Sequence, residues 1–344
     1  MTLLIATDEA GYGPKLGPLV IVATAWRLPA GTAAAAAAAA GTAAAVELAF
    51  ENLSLPISDH RCGSVYVDDS KRVFHRHQTI EPGQASLLEI VCRAASQWSL
   101  IPDPSVSFFE WLKAVAKSDF NVAIKAPWFA DWPTLPKTKQ ATSEVAANAN
   151  VIAHWATTGL ELCGIHARFI TAAAFNEQLE SGKNKADILT EATCRMAAAM
   201  IDDVDEHELN VTISSDRHGG RAYYGSAIQH LCSGASLRVV SEDKAVSRYH
   251  LTSETRYGNT RGIDWSFCVG GDSLPPVAMS SMIAKWLRER AMLSFNNYFA
   301  AQMPAGVKLR PTAGYPGDAN RFIDEIQKAG LREALPDSTL IRAR

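Results

Sequence analysis

The segment Leu3-Leu4-Ile5-Ala6-Thr7-Asp8-Glu9-Ala10-Gly11-Tyr12-Gly13-Pro14 constrains this chain more than any other. An apolar run ends in two adjacent carboxylates, then breaks into a glycine-rich turn. A short continuous apolar run bounded by turn residues reads as a buried strand. Two acids at the mouth of such a strand are costly unless their charge is compensated. Either they turn out into solvent or a cation meets them, and carboxylate and carbonyl oxygens suit Mg²⁺ or Mn²⁺.

The pattern recurs. Residues 209–214 read as a strand ending at Asp216, and Trp265 to Val269 as a strand ending in Gly270-Gly271-Asp272. In open α/β sheets, functional groups gather at strand ends. Asp8, Glu9, Asp216 and Asp272, from three strand ends, therefore compose a possible multi-carboxylate metal site. Four carboxylates can hold two divalent cations, the arrangement that serves in-line phosphoryl transfer on a phosphodiester.

Around these strands the pattern is mixed. Leu19 to Ala25 is a second apolar run, placed antiparallel to the first across a Gly/Pro-rich gap. Residues 31–45 are alanine-dominated and read as an excursion between strands. Val65-Tyr66-Val67 reads as a short strand before Asp68-Asp69-Ser70-Lys71. Helical patterns cover about 85–98, 144–160 and 187–201, and Ala167 to Ala172 is a further candidate strand. The irregular stretch 101–140, rich in Pro, Trp and Lys, reads as an insertion. A long helix is expected over 277–299, with Met282, Ile283, Trp286, Leu287 and Leu293 buried, opening a helical segment over 277–344. One domain is expected over the whole length of 344 residues.

A hydrophobic content of 47% supports a real core. No apolar stretch is long enough to span a bilayer, and the N-terminus lacks the pattern of a cleavable signal. Six scattered cysteines without a C-x-x-C pair argue against a zinc site or a disulfide framework. A cytoplasmic, monomeric protein without membrane contact is the expectation. The formal charge of −3 does not advertise nucleic-acid binding, yet residues 281–344 carry ten Lys/Arg against six Asp/Glu. Such a basic stretch suits a phosphate-contacting face or ordinary solvated helices.

Other candidates surround the acids. The glycines flanking Tyr12 would let backbone amides approach phosphate or sugar. Lys71 and Lys285 could meet phosphate oxygens, or be ordinary surface lysines. Tyr315, in a Gly-Tyr-Pro turn, could stack on a base or pack over its own loop. Arg217, His218 and Arg221 read as a basic, flexible patch beside Asp216, with His218 either shuttling protons or merely solvated.

These motifs resemble the type 2 ribonuclease H family, which includes ribonuclease HIII. Asp8 to Pro14 with Gly17-Pro18 looks like its opening motif, and Asp69-Ser70-Lys71 like its second signature. Asp187-Ile188-Leu189 with Ala192-Thr193 is similar to its central helix, and Asp216 stands in the place of its third acid. Gly271-Asp272 with Ser280 to Lys285 resembles the fourth acid and the helix behind it, and Gly314-Tyr315-Pro316 the late turn.

The resemblance implies a ribonuclease H-like α/β fold with a mixed central sheet flanked by helices. It implies hydrolysis of the RNA strand of RNA–DNA hybrids or at ribonucleotides embedded in DNA, leaving 3′-hydroxyl and 5′-phosphate ends. Asp8, Glu9, Asp216 and Asp272 would bind two Mg²⁺ or Mn²⁺ ions. Gly11, Tyr12 and Gly13 would lie at the 2′-hydroxyl and scissile phosphate, with Ser70, Lys71, Lys285, Tyr315, His218 and Arg221 as further substrate contacts. Tyr12 stands where type 2 enzymes usually carry arginine, and Glu289 where they carry aspartate. The alternatives are a nuclease of this fold for another structured nucleic acid, or a non-catalytic nucleic-acid binder on the same scaffold.

Overall fold

A computed structural model describes residues 2–29, 43–74, 85–104, 107–130, 142–204, 210–232, 234–255, 257–333 and 335–343. The first apolar run is strand β1 (Thr2–Ala10) and the second is β2 (Leu19–Leu28). They pair antiparallel from Thr2 opposite Leu28 to Ala10 opposite Val20. A short hairpin, β3 (Ile57–Asp59) with β4 (Gly63–Val65), stands apart as a two-stranded sheet. β5 (Glu161–Ile170), β6 (Asn210–Asp216), β7 (Ser236–Glu242), β8 (Val246–Glu254) and β9 (Thr260–Cys268) complete the main sheet, in the order β5-β2-β1-β6-β9-β8-β7. β1, β6 and β9 run parallel and the remaining neighbours antiparallel. The expected mixed sheet flanked by helices is therefore present.

β1 is buried on both faces, which is why it reads as a continuous apolar run rather than an alternating one. Its side chains still alternate. Leu4 and Ala6 enter the core that holds α1 (Leu87–Trp98) and the long helix α6 (Pro275–Ala301). Leu3 and Ile5 enter the opposite core, with Ile188, Leu189, Met196 and Met200 of α5 (Lys185–Val204). Full burial of such side chains contributes about 1.5–3 kcal/mol each. The three remaining longer helices are α2 (Phe108–Val115), α3 (Thr142–Trp155) and α4 (Ala172–Glu180); α7 (Pro316–Lys328) follows α6.

Helix α6 positions the site. Its small residues let it lie directly on the sheet: Ser280 Oγ donates to the Ala6 carbonyl at 2.9 Å and meets Thr24 Oγ1 at 2.9 Å. Pro275 and Pro276 suit its first turn, where backbone N–H groups lack helical partners. Nearly every side chain from Pro275 to Leu287 is buried, apart from Lys285. Leu293, expected on the buried side, is 41% exposed instead. Met292, Phe295 and Phe299 hold the inner stripe there, and Leu293 falls on the opposite side of the turn.

Two regions differ from their sequence patterns. The described parts of 101–140 form α2 and the short helices Phe120–Ala123 and Pro127–Ala130. They place Phe108, Trp111, Phe120, Trp128 and Phe129 in the α6-side core. The β7–β8 hairpin is masked in the sequence pattern: a register shift between Val239 and Ser241 breaks its alternation, and Val239 and Val240 lie half exposed at the sheet edge. Of the alanine-rich tract, residues 31–42 lie outside the described residues. No described helix is long and apolar enough to cross a membrane.

Candidate active site

The register of the parallel strands brings the acids to one end of the sheet. Thr7 lies opposite Ser215 across β1–β6, so Asp8 and Asp216 sit one residue beyond that pair. Asp216 in turn lies opposite Cys268 across β6–β9, and the chain then turns through Gly270 and Gly271 to Asp272. Gly271 is there by necessity: a Cβ at this position would come within 2.9 Å of Asp216 Cα. Its N–H donates to Asp216 Oδ1 at 2.7 Å, tying the third and fourth acids together.

Asp8 and Asp272 are buried, Glu9 and Asp216 are half-buried beside them, and the acids repel one another. Asp8 is 6% exposed and Asp272 7% exposed. Burial, and then the neighbouring Asp216 carboxylate, push the Asp8 pKa up to about 7. Burial, then Asp8 and Asp216, raise Glu9 well above the ordinary carboxylate range. Asp216 is raised too, first by burial, with the Asp272 charge adding to it against the Gly271 N–H. Favourable contacts are few: the Glu9 N–H donates to Asp8 Oδ1 at 2.7 Å, and Ser281 hydrogen-bonds to Asp8. Lys71 Nζ, on the short helix Ser70–Val73, meets Asp272 Oδ2 at 2.8 Å. The Ser70 and Ser281 hydroxyls lie 3.0 Å apart, fixing that helix to α6.

A cleft of about 340 Å³ opens over this cluster. Gly11, Tyr12 and Gly13 bound one side, and Ser70, Lys71, Lys285 and Tyr315 line it as well. Tyr315 is 49% exposed at the start of α7. Lys285 lies over the Phe74 ring at 4.1 Å and pairs with Glu289 at 2.7 Å, so its ammonium is already engaged. Phe74, Ser281 and Arg288 also bound the cleft and were not singled out in the sequence. Ser281 and Arg288 follow from the helical phase of α6; Phe74 carried no signal beyond its nearness to Lys71.

The patch after Asp216 is not the flexible one expected, and it does not line this cleft. Arg217 caps the carbonyls of Lys244 at 2.6 Å and Asp243 at 2.7 Å. His218 is 2% exposed, with its ring nitrogens 3.1 Å from Thr190 Oγ1 and 3.4 Å from Thr193 Oγ1. Burial, and then the Arg221 charge, push the His218 pKa down to about 3, so the ring is neutral at physiological pH. Arg221 binds Asp187 at 3.0 Å and Thr190 at 2.8 Å. The physical reason is that His218 turns inward after β6, where each ring nitrogen must find a partner, while the half-buried Arg217 and Arg221 are tied to carbonyls and to Asp187.

Among the described residues, no three His, Cys, Asp or Glu side chains are drawn together into a ready-made metal cage. The donor chemistry nevertheless fits a hard divalent cation: four carboxylates, three of them raised in pKa by burial and mutual repulsion.

No family model matches the chain, and no curated protein matches it. Among solved structures it is similar to the Mn²⁺ complex of Bst-RNase HIII, at 12% identity and a TM-score of 0.40, over 99% of this chain and 66% of that one. It is also similar to the RNase HII of the PCNA:RNase HII complex from Archaeoglobus fulgidus, at 13% identity and a TM-score of 0.40, over 99% and 94%. The ribonuclease H2 from Pyrococcus horikoshii OT3 is a third, at 12% identity and a TM-score of 0.39, over 98% and 92%. The chain spans about two thirds of the length of the first of these.

Proposed function

We propose that this protein is a divalent-metal-dependent nuclease that hydrolyses the RNA strand of RNA–DNA hybrids. The carrying observation is that Asp8, Glu9 and Asp216, at the ends of adjacent parallel strands, line one open cleft, with Asp272 held close by through the Gly271 N–H on Asp216. A fold gains nothing in stability from crowding acids together, and burial and mutual repulsion raise the pKa values of Asp8, Glu9 and Asp216. A cation-binding role accounts for that cost, and the ordered motif resemblance supplies the substrate class.

Asp8, Glu9, Asp216 and Asp272 would hold the ions, which when bound supply Lewis acidity toward water and stabilise the charge on the leaving oxygen. The chain's own groups do the rest. Ser281 and the Glu9 N–H orient Asp8. Lys71 sits beside Asp272, ready to meet a phosphate oxygen as a point charge. Gly13, where an added Cβ would meet nothing, leaves the cleft wall open for close approach of a sugar–phosphate backbone, where a 2′-hydroxyl distinguishes RNA from DNA. Tyr315 offers a ring for stacking on a base or sugar.

The test is a substrate panel with Mg²⁺ and with Mn²⁺: hybrid, duplex DNA with one ribonucleotide, double-stranded RNA and a four-way junction. The expected result is cleavage of the hybrid by the wild type and none by Asp8→Asn. Preference for the double-stranded RNA or the junction would overturn the substrate assignment. Undiminished cleavage by Asp8→Asn would overturn the site.

A further inference from the structure

The wall of the cleft formed by Gly11, Tyr12 and Gly13 is held from behind by a segment some 330 residues later in the chain. Segment 335–343 crosses beneath this loop, with Ile341 bridging Leu16 and the Arg342 N–H donating to the Lys15 carbonyl at 2.9 Å. The Arg342 guanidinium is 2% exposed. Its Nη2 donates to the Gly11 carbonyl at 2.6 Å and also to the Pro14 carbonyl. Among the described residues, its Nε and Nη1 are buried without a hydrogen-bond partner. Asn176 of α4 anchors the segment, donating to the Ser338 and Ile341 carbonyls at 2.8 and 2.7 Å and accepting from the Ala343 N–H at 2.8 Å.

A second guanidinium lies under the same loop. Arg288 Nη2 donates to the Ala313 carbonyl at 2.9 Å. Gly11 has a φ of +91°, and a Cβ there would come within 2.4 Å of Arg288 Nε, so the loop rests directly on this side chain. Burial, and then the Arg288 charge, lower the Arg342 pKa to about 9. A cation kept dry beside another cation and bonded to carbonyls is a costly way to tie a loop, because a neutral donor would serve.

In a trans peptide the Gly11 carbonyl and the Tyr12 N–H point in opposite directions. A carbonyl pulled toward Arg342 therefore turns the Tyr12 N–H away from segment 335–343. Arg342 itself does not line the cleft, whereas Gly11, Tyr12 and Gly13 do. We propose that Arg342 is a positioning residue: it pins the Gly11 and Pro14 carbonyls from behind, and so aims the loop's amides and the positive field beneath them at a phosphate of the bound strand. This rests on the nuclease reading above. It also gives the loop a positive charge from underneath, where the family resemblance leads one to expect an arginine at position 12.

The experiment compares Arg342→Met, Arg342→Lys and Asn176→Ala with the wild type. Amide exchange at Lys15 and Leu16, both bonded to the Gly314 carbonyl at 2.7 and 3.1 Å, reports loop opening without any substrate. Exchange there is expected to rise about tenfold in Arg342→Met, less in Asn176→Ala, and to return toward wild type in Arg342→Lys. On hybrid, KM is expected to rise about tenfold in Arg342→Met with kcat within about twofold, because the loop binds and the acids act. Mn²⁺ affinity by calorimetry is expected to stay unchanged. Unchanged exchange at both amides would overturn the pinning. A KM unchanged in Arg342→Met, or a loss of kcat that Arg342→Lys fails to rescue, would overturn the positioning role. Absence of hybrid cleavage by the wild type would sink the nuclease reading alone, with the exchange data still deciding whether Arg342 holds the loop.

Discussion

Asp318, a quarter exposed, and Asp8, buried, are both aspartates drawn into the fold, and the fold treats them in opposite ways. Asp318 accepts hydrogen bonds from Thr312 Oγ1 at 2.7 Å, the Ala313 N–H at 2.9 Å and Arg321 at 2.7 Å. Burial disfavours its charge, but Arg321 and the other donors overcome that and hold the carboxyl well below the ordinary range. Asp59 is handled alike: Arg61 grips it through Nε at 2.9 Å and Nη2 at 2.7 Å, and its pKa is lowered despite burial. At the acid end of the sheet the carboxylates crowd together, and the pKa values of Asp8, Glu9 and Asp216 rise. A carboxylate surrounded by donors stabilises the protein; one surrounded by carboxylates costs stability when charged. The two settings should therefore respond oppositely to the same substitution.

The largest effect is expected at the crowded end. Asp272→Asn removes a carboxylate from the cluster and should cut metal-dependent cleavage of hybrid by on the order of a thousandfold. A single-turnover assay with Mn²⁺ measures it; residual activity within about tenfold of wild type would mean that Asp272 is not part of the chemistry. At the paired setting, Asp59→Ala should leave activity intact but strand Arg61, which is only 4% exposed, without its carboxylate. Losing one partner of a buried ion pair costs about 3–5 kcal/mol, readable as a lower urea midpoint.

A smaller effect of opposite sign is expected from Asp8→Asn in the metal-free protein. The folded pKa of Asp8 is about 7 against an ordinary 3.8. Between those values the unfolded chain has released the proton and the folded chain still holds it. Folded stability therefore falls as pH rises through that window, and the loss is complete above it. Asp8→Asn removes the loss and should stabilise the metal-free protein by about 1–3 kcal/mol at pH 8, with little change at pH 4. For Asp318 and Asp59 the sign reverses: their contribution is present above the ordinary carboxylate pKa and is lost as pH falls through the lowered one. Chemical denaturation of wild type and Asp8→Asn across pH 4–8 separates the two cases; parallel profiles would break the contrast.

What the sequence disclosed follows the same division. Asp8, Glu9, Asp216 and Asp272 were legible because each closes an apolar run, and the strands set their spacing locally. β1, β6 and β9 are adjacent and parallel, which puts Asp8, Glu9 and Asp216 at one end of the sheet, and the Gly270–Gly271 turn brings Asp272 toward them. Trp128 and Phe129 were not legible as core, because they sit on a four-residue helix too short to show a period, whereas Phe108, Trp111, Leu112 and Val115 keep the i, i+3, i+4, i+7 spacing that marks a buried helix face. Nor was the underside of the Gly11 loop, where Arg342 and Arg288 act across hundreds of residues. His218 misled for a related reason: it lies two residues after an acid of the site, but the chain turns inward between them.

His218 gives the smallest expected effect and the sharpest check on which groups belong to which setting. It is a titratable ring near the acids, yet Thr190, Thr193 and the Tyr224 hydroxyl engage its ring and its backbone N–H as a buried structural unit. A general acid or base contributes about 10²–10⁴-fold to a rate. His218→Gln should change kcat by less than about tenfold and leave the pH–rate profile in place. The wild-type ring, with its pKa pushed down to about 3, should show no titration between pH 5 and 8 by NMR. Because the unfolded chain takes up the proton first as pH falls below 6.5, wild-type stability should erode toward acid on this account, and His218→Gln should lose that component. A pH–rate profile that shifts in His218→Gln would instead move this histidine to the catalytic side of the comparison, despite its burial.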